Sequence, residues 1–210
     1  MNFGYQTLGF GAYPNRSSGS GSGSGSGIAQ GLTPSLLTLT GQSNPSAAVN
    51  NNTIDLSNAG GVDYTSETAR LVFRYEKGSS YTGDIQVYDI EFSSTSYDIN
   101  TGTYSFETTQ APANYSSYTS ASFSNVTTSA QGGSWVRDAG GTGSSGTGLT
   151  LTGEYYFYAE TSSPAANTVG FNFWLRSAPV ALSSFSPNLT FKDGRYGAGI
   201  GTLNVHLDIQ

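Results

Sequence analysis

The sequence contains no cysteine, so the chain forms neither a disulfide framework nor a thiolate metal site. Charged residues are also few, at 10% of the 210 residues, which excludes disorder driven by high charge. Lysine and arginine form no clustered block, and such blocks are what neutralise phosphates or acidic lipid headgroups. We therefore expect no nucleic-acid binding and no attraction to an acidic membrane surface.

Long apolar runs are missing as well. No segment approaches the roughly 20 consecutive apolar residues that a membrane-spanning helix needs, so we expect no membrane insertion. Residues 1–10 lack the basic region and the continuous apolar run of a secretory signal peptide, and the sequence does not predict one there.

Glycine, small polar residues and aromatic residues take the place of charge. The chain has 28 glycines, 14 tyrosines and 11 phenylalanines, which is typical of short strands joined by many turns. Residues 69–76, 171–176 and 202–209 alternate apolar and polar side chains, with the period of two that half-buried strands show. No segment has a sustained helical period, so the sequence predicts an all-β fold.

The first 27 residues differ in composition from the rest. Residues 17–27 are a glycine and serine linker, a flexible coil that spans roughly 18 Å on average; an engineered linker has the same composition. Residues 1–16 are either a disordered terminus or a docking arm that seats in another subunit's groove or sheet edge. We favour the arm because five large apolar side chains are separated by small residues: Phe3, Tyr5, Leu8, Phe10 and Tyr13. Residues 28–210 form the folded domain.

Three segments resemble motifs of the MAM domain, the extracellular β-sandwich of meprins, neuropilins and receptor tyrosine phosphatases. They are Gly153–Ser163 with its Glu-Tyr-Tyr-Phe-Tyr run, Arg195–Val205, and Lys77–Ile85. The resemblance covers residues 32–209 and implies an antiparallel β-sandwich of jelly-roll type. MAM domains of animal receptors usually carry cysteines, and their absence here favours a bacterial or viral version.

The segments that resemble this family occur in a permuted order. Those that close a MAM domain, residues 36–90, come first, and those that open it follow from residue 104. A circular permutation keeps every strand pairing if the original termini lie close together, although an exchange of halves between two subunits uses the same interface and stays open. The permuted order implies that two neighbouring strands face the core, one with Leu203, Val205 and Leu207 and the other with Leu37 and Leu39.

Two features that suggest chemistry have simpler interpretations. Residues 141–146 match Gly-x-Gly-x-x-Gly, but a dinucleotide site needs a helix after this loop and a tyrosine-rich strand is predicted there. The one histidine, His206, falls in the polar register of a strand, where an ordinary surface histidine is expected. Because no second motif supports a catalytic triad, we expect no enzyme activity.

A calcium site is the metal site that the resemblance suggests. Some MAM domains bind calcium near the joined ends of the sandwich, and Glu107, Asp89 and Glu160 stand where the family often places acidic residues. Calcium is held by carboxylate and carbonyl oxygens. The alternative is a set of unrelated solvated or hydrogen-bonded acids, and Ser134 stands where the family often has an acid before its tryptophan.

Tyrosines provide a candidate recognition surface, because tyrosine combines a large contact area with a hydroxyl group. The candidates are Tyr64, Tyr75, Tyr81, Tyr88, Tyr115 and Tyr118, and such aromatic side chains also stack on sugars. The alternative is that these tyrosines form the core and edges of the sandwich.

Taken together, the sequence favours a non-enzymatic bacteriophage virion structural protein: a capsid decoration, fibre or tail adhesin. Residues 1–16 would bind other virion proteins, and the sandwich would serve assembly or attachment to a host-surface glycan or protein. An extracellular type of domain without an export signal is typical of a virion that assembles in the host cytoplasm. We expect a homo-oligomer without a required cofactor. The alternatives are a bacterial cell-surface adhesion or carbohydrate-binding module, located outside the cell, and an enzyme fragment that only fold analogy supports.

Overall fold

The computed structural model describes residues 30–43, 49–92, 123–125, 132–133, 135–141, 150–161, 170–177, 179–184 and 187–210. The predicted arm and linker lie outside these residues, as do Glu107, Tyr115 and Tyr118. The described part is all-β, as the alternating segments predict. No helix within it is long and apolar enough to cross a membrane.

The described strands are short and are numbered in chain order. They are β1 (Gly31–Leu32), β2 (Leu37–Thr40), β3 (Val49–Asp55), β4 (Thr68–Glu76), β5 (Ile85–Phe92), β6 (Phe123–Asn125), β7 (Gly132–Gly133), β8 (Trp135–Gly141), β9 (Thr150–Ala159), β10 (Asn172–Ser177), β11 (Val180–Ala181), β12 (Asn188–Arg195) and β13 (Thr202–Ile209). A 3-10 turn spans Leu182–Ser184.

These strands form two sheets that pack face to face as a β-sandwich. The first sheet has the order β1-β13-β4-β10-β6, with β2 also pairing with β13, β11 with β4, and β7 with β10. The second sheet has the order β3-β12-β5-β9-β8. Apart from the short β7–β10 pair, the described pairings are antiparallel.

The core lies between the sheets, and its residues come from the predicted alternation. Ala69, Leu71, Phe73 and Tyr75 of β4 are all buried, as are Phe173 and Leu175 of β10 and the apolar residues of β13. Phe73 meets Phe191 of β12 edge to face, with ring centroids 5.2 Å apart. This contact joins an inner strand of each sheet, in a geometry that aromatic pairs prefer.

The pairing of β13 with β2 confirms the strand adjacency that the permuted order implies. Leu203 lies opposite Leu39, and Val205 lies opposite Leu37. Leu203, Val205 and Leu207 are buried, and Leu37 and Leu39 pack against the same core.

A β-bulge at Asp89 reverses the side-chain register of β5. Between the pairs Lys192–Tyr88 and Thr190–Glu91, β5 has one residue more than β12, and Asp89 has a positive φ of 46°. Bulges of this kind place one extra residue on one strand. As a result, Ile85 and Val87 face the core before the bulge, whereas Ile90 and Phe92 face it afterwards.

Candidate functional site

Four of the connections between the two sheets lie at one end of the sandwich, which we call the distal end, whereas the β3–β4 and β11–β12 connections lie at the opposite end. In the first sheet, this end is marked by the paired residues Thr40, Thr202, Glu76 and Asn172. In the second sheet, it is marked by the pair of Gly194 with Val49 and by the paired residues Arg195, Ile85 and Ala159. The crossovers β2–β3, β4–β5, β9–β10 and β12–β13 all leave from these rows. At the opposite end, Gly31 pairs with Ile209, so residue 30 enters the sandwich there.

Glycines let two distal crossovers touch backbone to backbone. A Cβ atom on Gly78 would lie 2.4 Å from the carbonyl oxygen of Gly199, and one on Gly201 would lie 1.9 Å from that of Glu76. Both separations are far below van der Waals contact, so only glycine fits. The glycine-rich segments that resemble the MAM motifs therefore pack against each other.

The hydroxyl group of Tyr75 joins the same two crossovers. It donates a hydrogen bond to the carbonyl oxygen of Gly83 at 2.6 Å, and it accepts one from the backbone N–H of Gly201 at 3.0 Å. Burial raises the pKa of Tyr75 above its ordinary value, so the phenol stays protonated and keeps its donor. Tyr75 is thus part of the core rather than of a recognition surface.

The end of β9 is attached to the β4–β5 crossover through Asp84. The buried Asp84 carboxylate accepts hydrogen bonds from the backbone N–H of Thr161 at 2.8 Å and from its hydroxyl at 2.6 Å. The same hydroxyl oxygen lies 3.0 Å from the carbonyl oxygen of Tyr81. The three motif segments of the sequence thus meet at the distal end.

A second buried carboxylate, that of Asp193, fixes the β2–β3 crossover. It accepts hydrogen bonds from Arg195 Nε at 2.7 Å, Asn52 Nδ2 at 2.8 Å and Asn50 Nδ2 at 3.2 Å. Arg195 in turn donates to the carbonyl oxygen of Gly41 at 2.8 Å. Asp193 is fully buried, and these bonds compensate its charge as buried carboxylates require.

Tyr81 is the large side chain that the hydrogen-bonded crossovers of the distal end expose. It is 58% exposed, whereas Tyr64 and Tyr88 are buried like Tyr75. For these three tyrosines the recognition-surface prediction is wrong: Tyr64 and Tyr75 pack in the core between the sheets, and Tyr88 lies in a second buried cluster with Tyr156 and Tyr158. Among the described candidates, Tyr81 keeps the expected role of a surface tyrosine.

The predicted surface position of His206 is also wrong, because the residue is only 7% exposed. The segment between β1 and β2 covers it, and His206 Nδ1 donates to the carbonyl oxygen of Thr33 at 3.0 Å. Its Nε2 is buried without a hydrogen-bond partner among the described residues. Burial, with a smaller effect from Arg74, lowers the pKa of His206.

The two described acids of the predicted calcium site lie apart. Asp89 pairs with Lys192, with Nζ and Oδ2 2.5 Å apart, whereas Glu160 accepts from the Tyr158 hydroxyl at 3.2 Å. Since Ile85 pairs with Ala159, the two acids are separated by about five residues along the strands, roughly 16 Å. No group of three or more metal-ligating side chains occurs among the described residues. Because Glu107 lies outside them, the calcium site stays a prediction.

Beyond Gly141 the Gly-x-Gly-x-x-Gly segment lies outside the described residues, in the connection between two strands of one sheet. β8 ends at Gly141, and β9, which pairs with β8, begins at Thr150. A strand therefore follows the segment where a dinucleotide site needs a helix.

The outer face of the first sheet carries a polar cluster that sequence reasoning missed. The Arg74 guanidinium carbon lies 5.3 Å from the centroid of the Trp174 ring. Arg74 also donates from Nε to Asn172 Oδ1 at 2.9 Å, and its Nη2 lies 3.3 Å from Glu76 Oε2. The alternation places each of these residues on the outer face, but their contact depends on the pairing of β4 with β10, which the sequence does not reveal.

Comparison with protein-family models finds no matching family, and comparison with solved structures finds no significant match.

Proposed function

We propose that the chain is a non-enzymatic structural protein of a bacteriophage virion, anchored by residues 1–16 and projecting its sandwich for assembly or host-surface attachment. The observation that carries this proposal is the polarity of the sandwich. The chain enters at β1, next to the last strand β13, whereas the described crossovers that hold Tyr81 gather at the distal end. A tether at one end and a rigid loop surface at the other suit a projecting module.

The dimensions support this arrangement. The eight residues of β13 extend about 26 Å at roughly 3.3 Å per residue, and the linker adds roughly 18 Å on average. The distal loops would therefore stand well away from the anchored arm. In a homo-oligomeric particle many copies would bind together, and avidity would compensate for modest affinity at each copy.

The chemistry of the described residues supports a non-enzymatic role. Asp84 and Asp193, the buried carboxylates of the distal end, accept hydrogen bonds that hold the crossovers in place. His206 is covered and lies on the first sheet's outer face, away from both. A general acid–base mechanism needs a titrating group within reach of a substrate, and these three groups serve the fold instead.

The permuted MAM-like arrangement is part of the same proposal. It is supported by the neighbouring positions of β2 and β13 and by the meeting of the three motif segments at the distal end. A MAM-like sandwich of extracellular type is an adhesion domain, which fits attachment better than catalysis.

Deleting residues 1–16 tests the anchoring role. We expect the truncated protein to melt at the same temperature as the full chain but to be missing from assembled particles, because the predicted arm carries the docking side chains. A matched variant keeps the full length and replaces Phe3, Tyr5, Leu8, Phe10 and Tyr13 by serine, and we expect the same loss. Normal incorporation of either protein contradicts the proposal and favours the alternative of a cell-surface adhesion or carbohydrate-binding module.

A further inference from the structure

The outer face of the first sheet carries two rows of mostly polar side chains at its distal half, from β2, β13, β4 and β10, beyond the buried pair Val72 and His206. The strand registers place Thr38, Asn204, Arg74 and Trp174 in one row across the sheet. The next row toward the distal end is Thr40, Thr202, Glu76 and Asn172. With neighbouring strands about 4.8 Å apart, each row extends roughly 14 Å, a length suited to an extended chain of small rings.

The side chains of this face both donate and accept hydrogen bonds. Thr38 donates to Asn204 Oδ1 at 2.9 Å, and Thr40 and Thr202 lie within 3.4 Å of each other. Amide and hydroxyl groups are partners for ligand hydroxyls, which also donate and accept. Trp174 adds an aromatic ring at the end of the row, where the C–H face of a sugar ring finds an apolar surface.

Arg74 is held in place before any ligand arrives. Asn172 and Glu76 fix its Nε and Nη2, and the Trp174 ring lies against the guanidinium group. A guanidinium has five N–H donors, so donors remain for a bidentate contact with a carboxylate. Because the side chain is already ordered, binding costs less conformational entropy.

The charge of the face points to an acidic ligand. Among the described residues, the face carries three arginines, Arg70, Arg74 and Arg176, and two acids, Glu76 and Asp208, which form ion pairs with Arg74 and Arg176. The face is therefore net positive, whereas the chain as a whole has a net charge of −6.

We propose that the outer face of the first sheet, around Trp174 and Arg74, binds an acidic polysaccharide of the uronate class. Trp174 stacks on a sugar ring, Arg74 binds a carboxylate, and the asparagine and threonine side chains bind hydroxyl groups. This inference rests on the proposed attachment function and narrows it to one surface and one class of ligand. Polysaccharide binding is measured on the purified protein, whereas incorporation through residues 1–16 is measured on particles. A failure of the binding test is therefore distinguishable from a failure of the anchoring test.

Affinity electrophoresis of the purified full chain through gels that contain polygalacturonate or dextran tests this site. We expect retardation by polygalacturonate, which carries carboxylates, and little by dextran, which carries none. Raising the salt concentration should weaken retardation, because Arg–carboxylate attraction at a partly exposed site is screened. Absence of retardation by polygalacturonate, or equal retardation by dextran, would overturn the proposal.

Variants separate this site from general charge effects. Arg74→Gln and Trp174→Ala should each weaken polygalacturonate binding at least tenfold, whereas Trp174→Tyr should retain most of it. Arg74→Lys should recover binding only in part, since an ammonium lacks the planar fork. Lys192→Gln removes the same charge from the other sheet and should bind like the wild type. Thermal unfolding checks that each variant is folded, and if Trp174→Ala is not, Arg74→Gln decides. Unchanged binding by a folded Arg74→Gln variant contradicts the assignment.

Discussion

At the scale of single residues, the same kind of ion pair has different consequences at different depths. Asp193 is fully buried with Arg195 and two asparagines around it, whereas the pair Arg74–Glu76 keeps 27% and 46% of its side-chain surfaces exposed. Removing one partner of a buried pair leaves the other charge uncompensated. In an exposed pair, water takes the missing partner's place.

We therefore expect Asp193→Ala to lower the free energy of unfolding by about 3–5 kcal/mol. The control Glu76→Ala should lower it by no more than about 1 kcal/mol. Urea denaturation at neutral pH measures both variants. Equal effects of the two substitutions would show that the Asp193 network does not hold the β2–β3 crossover.

His206 predicts a pH dependence of stability. Burial lowers its pKa below the ordinary value of 6.5, so near that pH the unfolded chain binds a proton that the folded chain does not. The unfolding free energy rises with pH wherever the unfolded state binds more protons. The stability due to neutral His206 is therefore fully present above pH 6.5 and is lost as the pH falls from 6.5 through the lower pKa of the folded chain.

The substitution His206→Gln removes the imidazole that binds this proton but leaves the other titrating groups in place. In urea titrations from about pH 7.5 to pH 5, the wild type should lose more stability than His206→Gln. The difference between the two proteins isolates the histidine. A difference that stays constant over this pH range would mean that His206 titrates alike in the folded and unfolded chains.

At the scale of elements, β13 is the strand whose register matters most, because it pairs with β1, β2 and β4. Val205→Asp would bury an unpaired charge at its centre and should cost several kcal/mol. Asn204→Asp puts the same charge on the outer face, opposite Arg74, and should change the melting temperature little. If both variants melt like the wild type, the register of β13 is wrong.

The alternation in the sequence predicted β4, β10 and β13 because each has one fully apolar side. The bulge in β5 was missed, although the apolar positions shift from Ile85 and Val87 to Ile90 and Phe92 across Asp89, whose positive φ only the structure reveals. The alternation also misplaced His206, since a residue in the polar register is buried when a separate segment, here around Thr33, lies over it. The contact of Trp174 with Arg74 depends on strands about 100 residues apart in sequence, and no local pattern encodes such a pairing.

At the scale of the whole molecule, the fold places β1, where the described domain begins, at the end opposite the crossovers that hold Tyr81. Segments far apart in sequence form one structural unit at that distal end because Tyr75, Asp84 and the glycines join them. The strand connections place this unit opposite β1. The sequence predicted the arm, the linker and the sandwich in order along the chain, but their polarity depends on the sheet topology.

The most direct test of this account uses the absence of cysteine from the chain. A single cysteine introduced at Leu8→Cys or at Tyr81→Cys is a unique target for a maleimide in purified particles. We predict that Leu8→Cys is protected in the intact particle and reacts after dissociation, because the arm is seated in a neighbouring subunit. Tyr81→Cys should react in both states, because its loop faces outward. A reactive Leu8→Cys together with a protected Tyr81→Cys in intact particles would contradict the proposed anchoring and orientation.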